Sequence, residues 1–380
     1  MIYCDHNASS PVRPEVVEAM LSWLQGPGGN ASSVHRLGSR ARCAVEEARG
    51  EIAALIGASP AEIVFTSGGT ESNNLAIEGC ARRQERDGGA RIVTTTAIEH
   101  ASVLEPISAL VDRGWQARSL PLDGAGRILV DSIEEGIAGA CLVTIGLANN
   151  EIGTTQPIEE VSELCRARGA VLHVDGTQAA GKIPVAARMA DLMAVSAHKM
   201  GGPQGVGALY IRRGIEIDPL LRGGGQERER RAGTENVAGV IGFGVAARLA
   251  SADLDRFAAF CRAWRDSLWA AIAASIPGCR RISPAAGQDL PNTLNVAFDG
   301  VRGEALVAAL DLAGIASSSG SACAAGAGEP SHVLLALGFD SDEARNSVRF
   351  SCGRGSAMEE VGSIADELRV AVDRIRTARP

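Results

Sequence analysis

The sequence predicts an α/β protein in which a mostly parallel β-sheet is covered by helices and joined to a smaller α+β domain. Through about residue 250, short apolar runs alternate with longer amphipathic segments, as strands alternate with crossover helices. Beyond that point the alternation stops, and a long amphipathic helix, Leu254–Ile276, leads into short strands and helices. These two patterns indicate two domains, which the length of 380 residues can accommodate.

The elements follow from these patterns in chain order. Six apolar runs predict the strands of the large sheet: Glu62–Thr66, Arg91–Thr95, Cys141–Ile145, Ala170–Val174, Asp191–Val195 and Val206–Ile211. The amphipathic segments between them predict helices over Gly38–Ile56, Glu71–Asp87, Val103–Arg113 and Pro157–Arg168. The small domain is predicted to hold strands over Asn292–Phe298 and Asn346–Ser351, a helix from Gly303 and a closing helix, Met358–Thr377.

Charge and cysteine usage exclude several classes of protein. The 37 basic and 45 acidic residues give a net charge of −8, which argues against nucleic acid or an anionic membrane as the main partner. No apolar run approaches the ~20 residues of a membrane span, and the N-terminus lacks a signal segment, so we expect a cytoplasmic protein. The nine cysteines stand singly, which argues against a disulfide scaffold and a structural zinc site.

A glycine turn is the first candidate binding feature. The strand ending at Thr66 runs through Gly68 and Gly69, and Thr70 opens a helix. The backbone N–H groups and the dipole at such a helix start can hold a phosphate. A plain glycine turn with a threonine N-cap explains the same pattern equally well.

Two consecutive strands end in polar residues. Asp175 ends one strand and is followed by Gln178, while Ser196-Ala-His-Lys199 follows the next strand. The carboxyl ends of parallel strands meet at one sheet edge, where α/β proteins bind ligands. A carboxylate and an amine there suit a pyridine-type cofactor, since the acid keeps the ring nitrogen protonated and the amine forms an imine with an aldehyde. Spacing alone favours the simpler alternative, an Asp–Lys ion pair.

Cys323 lies in a run of small residues, Ser317–Pro330, which predicts an accessible thiol on a loop rather than a buried one. The glycine-rich, mixed-charge stretch 222–236 is either a solvated loop or one that closes over a ligand or bridges subunits.

Two further patterns resemble nucleotide-binding motifs. Gly176–Lys182 has P-loop spacing, but Ile183 stands where Ser or Thr should bind magnesium, and Pro184 interrupts the helix. The stretch 242–247 resembles a dinucleotide fingerprint, but its alanine and glycine content indicates a close-packed helix instead.

Taken in order, the motifs resemble those of the cysteine desulfurases of the NifS/IscS type, which are fold-type-I enzymes dependent on pyridoxal 5′-phosphate (PLP). The resemblance covers nearly the whole chain and rests on nine segments: Tyr3–Pro11, Ser67–Asn74, Glu99-His100, Asn149–Gly153, His173–Gln178, Ser196–Lys199, Arg231–Asn236, Ser318–Cys323 and Val348–Ser351. It implies a seven-stranded, mostly parallel sheet in a large domain over 15–255, with a small domain formed by 1–14 and 256–380.

The resemblance also implies roles for individual residues. Lys199 would form the Schiff base with PLP and move the Cα proton of the substrate, while His100 would stack on the ring and assist the proton transfers. The other residues that would bind the cofactor are Gly69, Thr70, Asn150, Asp175 (at the ring nitrogen), Gln178 (at the ring oxygen), Ser196, His198 and, from the partner subunit of a homodimer, Thr234. Arg349 with Asn150 would hold the substrate carboxylate.

The implied reaction converts L-cysteine to L-alanine and leaves the sulfur as a persulfide on Cys323. The persulfide would then pass to an iron–sulfur scaffold or another acceptor protein, in nitrogen fixation, general cluster assembly or tRNA thiolation. Cys323 would be the residue that contacts a cluster transiently. The alternatives are another fold-type-I enzyme, either a selenocysteine lyase or an aminotransferase.

Overall fold

A computed structural model describes residues 1–284, 287–320 and 329–378. The strands in these ranges, numbered in chain order, are β1 Ile2–Tyr3, β2 Ile63–Thr66, β3 Ile92–Thr95, β4 Gln116–Ser119, β5 Leu142–Gly146, β6 Val171–Asp175, β7 Leu192–Ser196, β8 Gly207–Ile211, β9 Cys279–Arg281, β10 Thr293–Phe298, β11 Ile315–Ala316, β12 Ser318–Ser319 and β13 Ser347–Ser351. The helices are α1 Pro14–Leu24, α2 Arg36–Ile56, α3 Gly69–Asp87, α4 Ala101–Asp112, α5 Ile133–Gly136, α6 Ile158–Arg168, α7 Val237–Ala252, α8 Leu254–Ser275, α9 Gly303–Leu312, α10 His332–Ala336, α11 Ser341–Arg345 and α12 Glu360–Thr377.

Seven strands form the large sheet, in the order β2-β8-β7-β6-β5-β3-β4. Only β8 runs antiparallel to its neighbours, so the predicted mostly parallel sheet is confirmed. Both faces of the sheet are buried: Leu142 belongs to one apolar cluster and the next residue, Val143, to the other. Strand β4 was not predicted, because Gln116–Ser119 is polar and mostly exposed at the sheet edge.

Helices cover both faces of this sheet. Helix α3 begins at Gly69, two residues before the predicted start, and α1 was not predicted at all. Helix α7 confirms the interpretation of 242–247 as close-packed: a Cβ at Gly242 would lie 2.7 Å from the Met20 sulfur, and one at Gly244 would lie 2.7 Å from Cα of Ala48.

The remaining strands form two small sheets. Strands β12, β13, β10 and β9 form an antiparallel sheet, and β1 pairs in parallel with β11. One apolar cluster packs against these two small sheets. It contains Cys4 and residues between Phe257 and Val372, and it is separate from the clusters of the large sheet. This separate core supports the proposed division into 15–255 and 1–14 with 256–380.

Within the described ranges, no single helix has the length and apolar character needed to cross a membrane. One pair, α7 with α8, meets that test jointly, with a bend of 74° between the two helices.

Candidate active site

A cavity of about 760 Å³ opens at the carboxyl ends of the large-sheet strands. Ten of the residues that the sequence predicts for the site line it together: Gly69, Thr70, His100, Asn150, Asp175, Gln178, Ser196, His198, Lys199 and Arg349. The segment 321–328 lies outside the described residues. Cys323 belongs to this segment, so its role as nucleophile and cluster contact stays a prediction.

Lys199 and Asp175 reach the cavity from neighbouring parallel strands. Asp175 is the last residue of β6, and Lys199 ends the short 3-10 turn that follows β7. The Lys199 Nζ donates hydrogen bonds to the carbonyl oxygens of Asn7, at 2.6 Å, and Ala8, at 2.7 Å. The Asp175 carboxylate accepts from Asn73 Nδ2 at 2.8 Å, which fixes its orientation. The amine and the carboxylate are therefore held in place by different partners.

The first turn of α3 forms a cradle suited to an anion. Its backbone N–H groups start at Gly69, where a Cβ would lie only 2.8 Å from Thr177 Oγ1. That hydroxyl and Ser196 Oγ are buried without a hydrogen-bond partner among the described residues. Buried hydroxyls without partners are rare, and a phosphate would satisfy both. These features fit the phosphate of PLP.

His198 and His100 are half-buried, and partial burial favours the neutral form of each ring. Burial, together with the positive charges of Lys199 and Lys182, lowers the pKa of His198 to about 4. Burial also lowers the pKa of His100 from its usual value. The His100 Nδ1 accepts from the backbone N–H of Ser102 at 3.0 Å, so the ring proton of the neutral form lies on Nε2.

A hydrogen-bonded chain links His100 to Asp175. The Ser102 hydroxyl lies 2.8 Å from His100 Nδ1 and accepts from Asn73 Nδ2 at 2.9 Å. The same Asn73 nitrogen donates to Asp175, so one amide orients both groups. Asn73 lies within the motif Ser67–Asn74, but no role for it was predicted.

Arg349 reaches the cavity from β13 of the small sheet. Its guanidinium donates to the Asn150 carbonyl oxygen at 3.1 Å and to Asp5 Oδ1 at 2.6 Å. Its Nε is buried and has no hydrogen-bond partner among the described residues. An unpartnered guanidinium nitrogen at a cavity wall suits a carboxylate ligand.

The stretch 222–236 is anchored beside the site rather than solvated throughout. Three consecutive residues, Glu227 to Glu229, have left-handed backbones with φ between 45° and 65°. The buried Glu227 carboxylate accepts two hydrogen bonds from Arg49, at 2.7 and 2.9 Å. Arg231 pairs with Glu71 in the first turn of α3. Thr234 is exposed and does not line the cavity of this chain.

Two site residues were missed by the sequence analysis. Asn7 lines the cavity with its backbone and side chain buried, and Lys182 is buried beneath it. The Lys182 Nζ lies 2.8 Å from Gln178 Oε1, and no helix follows it at once, so the rejection of a P-loop is confirmed. A signal was present in the composition: 35 of the 37 basic residues are arginine, and the only two lysines are Lys182 and Lys199.

Comparisons with known proteins show which family the chain is similar to. The family model for aminotransferase class-V matches residues 2–364. A cysteine desulfurase of Trichormus azollae is 42% identical over all of this chain and 95% of its own length. The solved structure of a NifS-like protein, 35% identical, covers 98% of this chain and 99% of its own, with a TM-score of 0.91. A structure of SspA in complex with cysteine, 33% identical, covers 94% and 100%, with a TM-score of 0.81.

The match to the family model spans most of the chain, and the identity to curated relatives is distributed over its full length. The predicted resemblance and the α/β fold are confirmed. This chain belongs to the class-V aminotransferases, a PLP-dependent family, and within them to the cysteine desulfurases.

Proposed function

We propose that the chain converts L-cysteine to L-alanine, using PLP, and leaves the sulfur as a persulfide on Cys323. One observation carries the proposal: Lys199 and Asp175 face a single cavity that Arg349 borders from the small sheet. An amine, a ring-nitrogen partner and a carboxylate binder are the three groups that a PLP enzyme needs for an amino acid. The names of the curated relatives and the cysteine-bound SspA structure support cysteine as the substrate.

The residues around the cavity fit PLP. We propose that Gly69, Thr70, Ser196 and His198 hold its phosphate, Asp175 its ring nitrogen and Gln178 its ring oxygen. The unpartnered Ser196 and Thr177 hydroxyls and the close approach at Gly69 support this position for the phosphate. Bound there, PLP supplies an aldehyde that condenses with amines and a ring that accepts the electron pair left at Cα of an amino acid.

The other residues orient the substrate and move its protons. Lys199 would bind the cofactor aldehyde and carry the proton at Cα of cysteine, since two backbone carbonyls hold its amine at the cavity. His100, neutral and with its proton on Nε2, would assist that transfer. Arg349 would bind the substrate carboxylate through its unpartnered Nε, with Asn150 beside it.

The sulfur would be taken by Cys323 as a thiolate. Its sulfur forms an S–S bond with the substrate sulfur while the substrate Cβ–S bond breaks, and protonation of the remaining carbon skeleton gives L-alanine. The persulfide then passes to an iron–sulfur scaffold or another acceptor protein. We further propose a homodimer in which Thr234 completes the partner's phosphate site, supported by its exposure and by the Arg231–Glu71 pair that ties its segment to α3.

The test is incubation of the purified, PLP-loaded enzyme with L-cysteine, followed by assay of alanine and of protein-bound persulfide. We expect equal amounts of both in a single turnover. Cys323→Ala should give neither persulfide nor sulfide but should keep its visible absorption band at about 400 nm. Cys43→Ala, at an exposed cysteine, is the matched control and should behave as wild type. A ketoacid product instead of alanine would indicate an aminotransferase, and unchanged sulfide release from Cys323→Ala would refute the nucleophile assignment.

A further inference from the structure

Lys182 is a buried lysine with no role in the proposed chemistry. The chain contains 35 arginines and only two lysines, so lysine is rare in it. The other lysine is Lys199, and both contact the same residue, Asn7. Lys182 is only 2% exposed, which excludes a role on the surface.

The contacts of Lys182 form a closed arrangement. Its Nζ donates to Gln178 Oε1 at 2.8 Å and to Asn7 Oδ1 at 3.1 Å. Gln178 Nε2 in turn donates to the Asn7 carbonyl oxygen at 2.9 Å. That carbonyl oxygen is the one that accepts from Lys199 Nζ at 2.6 Å. Lys182 thus fixes both residues that flank the Lys199 amine.

Asn7 extends this arrangement to the substrate side of the cavity. Its Nδ2 donates to the Asn150 carbonyl oxygen at 3.0 Å and to Thr293 Oγ1 at 2.8 Å. The Asn150 oxygen also accepts from Arg349. A displacement of Asn7 would therefore change the positions of both Lys199 and the carboxylate-binding Arg349.

The space around Lys182 excludes a second ligand. The gap that it shares with Lys199 measures about 10 Å³, which is room for one water at most. Burial lowers the pKa of Lys182 well below its ordinary value, and the neighbouring Lys199 lowers it further. The amine needs only two N–H donors for its two amide oxygen partners, and it supplies them in either protonation state.

We infer that Lys182 is a positioning residue: it holds Gln178 and Asn7, and through them Lys199 and Arg349, in the geometry that binds cofactor and substrate. The inference rests on the proposed function, because it takes its meaning from the roles of Lys199 and Arg349 there. It assigns no contact between Lys182 and either ligand.

The test compares Lys182→Met, which keeps the length of the side chain but removes both donors, with wild type. We expect the dissociation constant for PLP, measured by absorbance titration of the cofactor-free protein, to rise about tenfold, because the buried Gln178 Oε1 loses its donor and Asn7 Oδ1 keeps only the one from Asn292. The KM for L-cysteine should rise at least threefold at saturating PLP, while kcat changes less. Met200→Leu is the matched control, since Met200 lines the same gap without hydrogen-bonding through its side chain to Asn7 or Gln178.

Several outcomes would overturn the inference. Wild-type values of both constants in Lys182→Met would do so, as would an equal effect from Met200→Leu, which would indicate packing alone. Borohydride reduction of the loaded protein followed by peptide mass analysis should label Lys199 only; a label on Lys182 would make it a direct cofactor ligand. If Lys182→Met does not fold, Asn7→Ser removes one of the two acceptors of Lys182, together with the Asn7 bonds to Asn150, Thr293 and Asn292, and should give the same two changes. Wild type that forms no alanine refutes the proposed function itself, whereas active wild type with an unaffected Lys182→Met refutes only this inference.

Discussion

Asp5 shares the guanidinium that is proposed to bind the substrate carboxylate. Its Oδ1 accepts from Arg349 at 2.6 Å, and the Asp5 side chain is 19% exposed while that of Arg349 is 1% exposed. Asp5 can act in two ways: it orients the guanidinium, and its negative charge repels a second carboxylate. The substitution Asp5→Asn separates them, because it keeps an acceptor oxygen and removes the charge.

The size of the charge effect follows from the geometry of a shared guanidinium. Two carboxylates on adjacent edges lie roughly 6 Å apart and repel by about 3 kcal/mol at an effective dielectric constant of about 20. The partial exposure of Asp5 screens this repulsion, and we take about 1 kcal/mol as the remainder. That free energy corresponds to about a fivefold change in the affinity for the substrate. We therefore expect Asp5→Asn to lower the KM for L-cysteine about fivefold.

Steady-state alanine formation over a range of L-cysteine concentrations measures this KM. Asp5→Ala is the matched variant, since it removes the charge and the acceptor together and should raise KM through loss of orientation. An unchanged or raised KM in Asp5→Asn would show that the charge of Asp5 does not oppose the substrate, and the reasoning would be wrong.

Three further predictions concern buried groups near the site. Asn73→Ala should weaken PLP binding about tenfold, by absorbance titration, because two hydrogen bonds that orient the site are lost. Asn74→Ala, at the half-buried neighbour that contacts neither Ser102 nor Asp175, should not. Burial raises the pKa of Glu99 from 4.5 to about 7, so the folded state binds this proton more tightly than the unfolded state does. Protonation of Glu99 therefore contributes to the free energy of unfolding. That contribution is complete below pH 4.5 and is lost as pH rises to about 7, by roughly 3 kcal/mol, and urea unfolding of Glu99→Gln should lack this slope. Glu227→Gln should lower the free energy of unfolding by about 3 kcal/mol, because it removes the buried charged partner of Arg49 and leaves only the half-exposed Glu46; a loss below about 1 kcal/mol in urea titrations would contradict this.

Apolar periodicity sufficed to predict the central strands but not the edge of the sheet. Strands buried on both faces, such as β6 and β7, appear in the sequence as continuous apolar runs. Strand β4 has the composition of a loop, because only one side of it pairs with a neighbour. The left-handed backbone at Glu227 was equally hidden, since its stabilising partner Arg49 is 178 residues away in the sequence.

The residues of the site also divide into those that local sequence patterns predict and those that depend on distant partners. Asp175 and Lys199 could be paired from the sequence because parallel strands bring their carboxyl ends to one edge. Asn7 could not, because it reaches the cavity on an N-terminal segment whose path depends on the pairing of β1 with β11 and on a hydrogen bond to Ser351 of β13. The role of Asn73 was also beyond spacing rules, since it depends on one side-chain amide lying between His100's partner Ser102 and Asp175.

The unpartnered groups of the cavity show how the fold prepares for its ligands. Ser196 Oγ, Thr177 Oγ1 and Arg349 Nε are buried without a partner among the described residues, and each such group costs about 1–3 kcal/mol of stability. The neighbouring Asn7 is, by contrast, well satisfied: its side chain makes hydrogen bonds to four residues. Leaving the three cavity groups without partners lowers the stability of the fold but prepares the site for its ligands. Phosphate and carboxylate oxygens are the acceptors that these groups lack, so binding of both should return part of that stability to the protein.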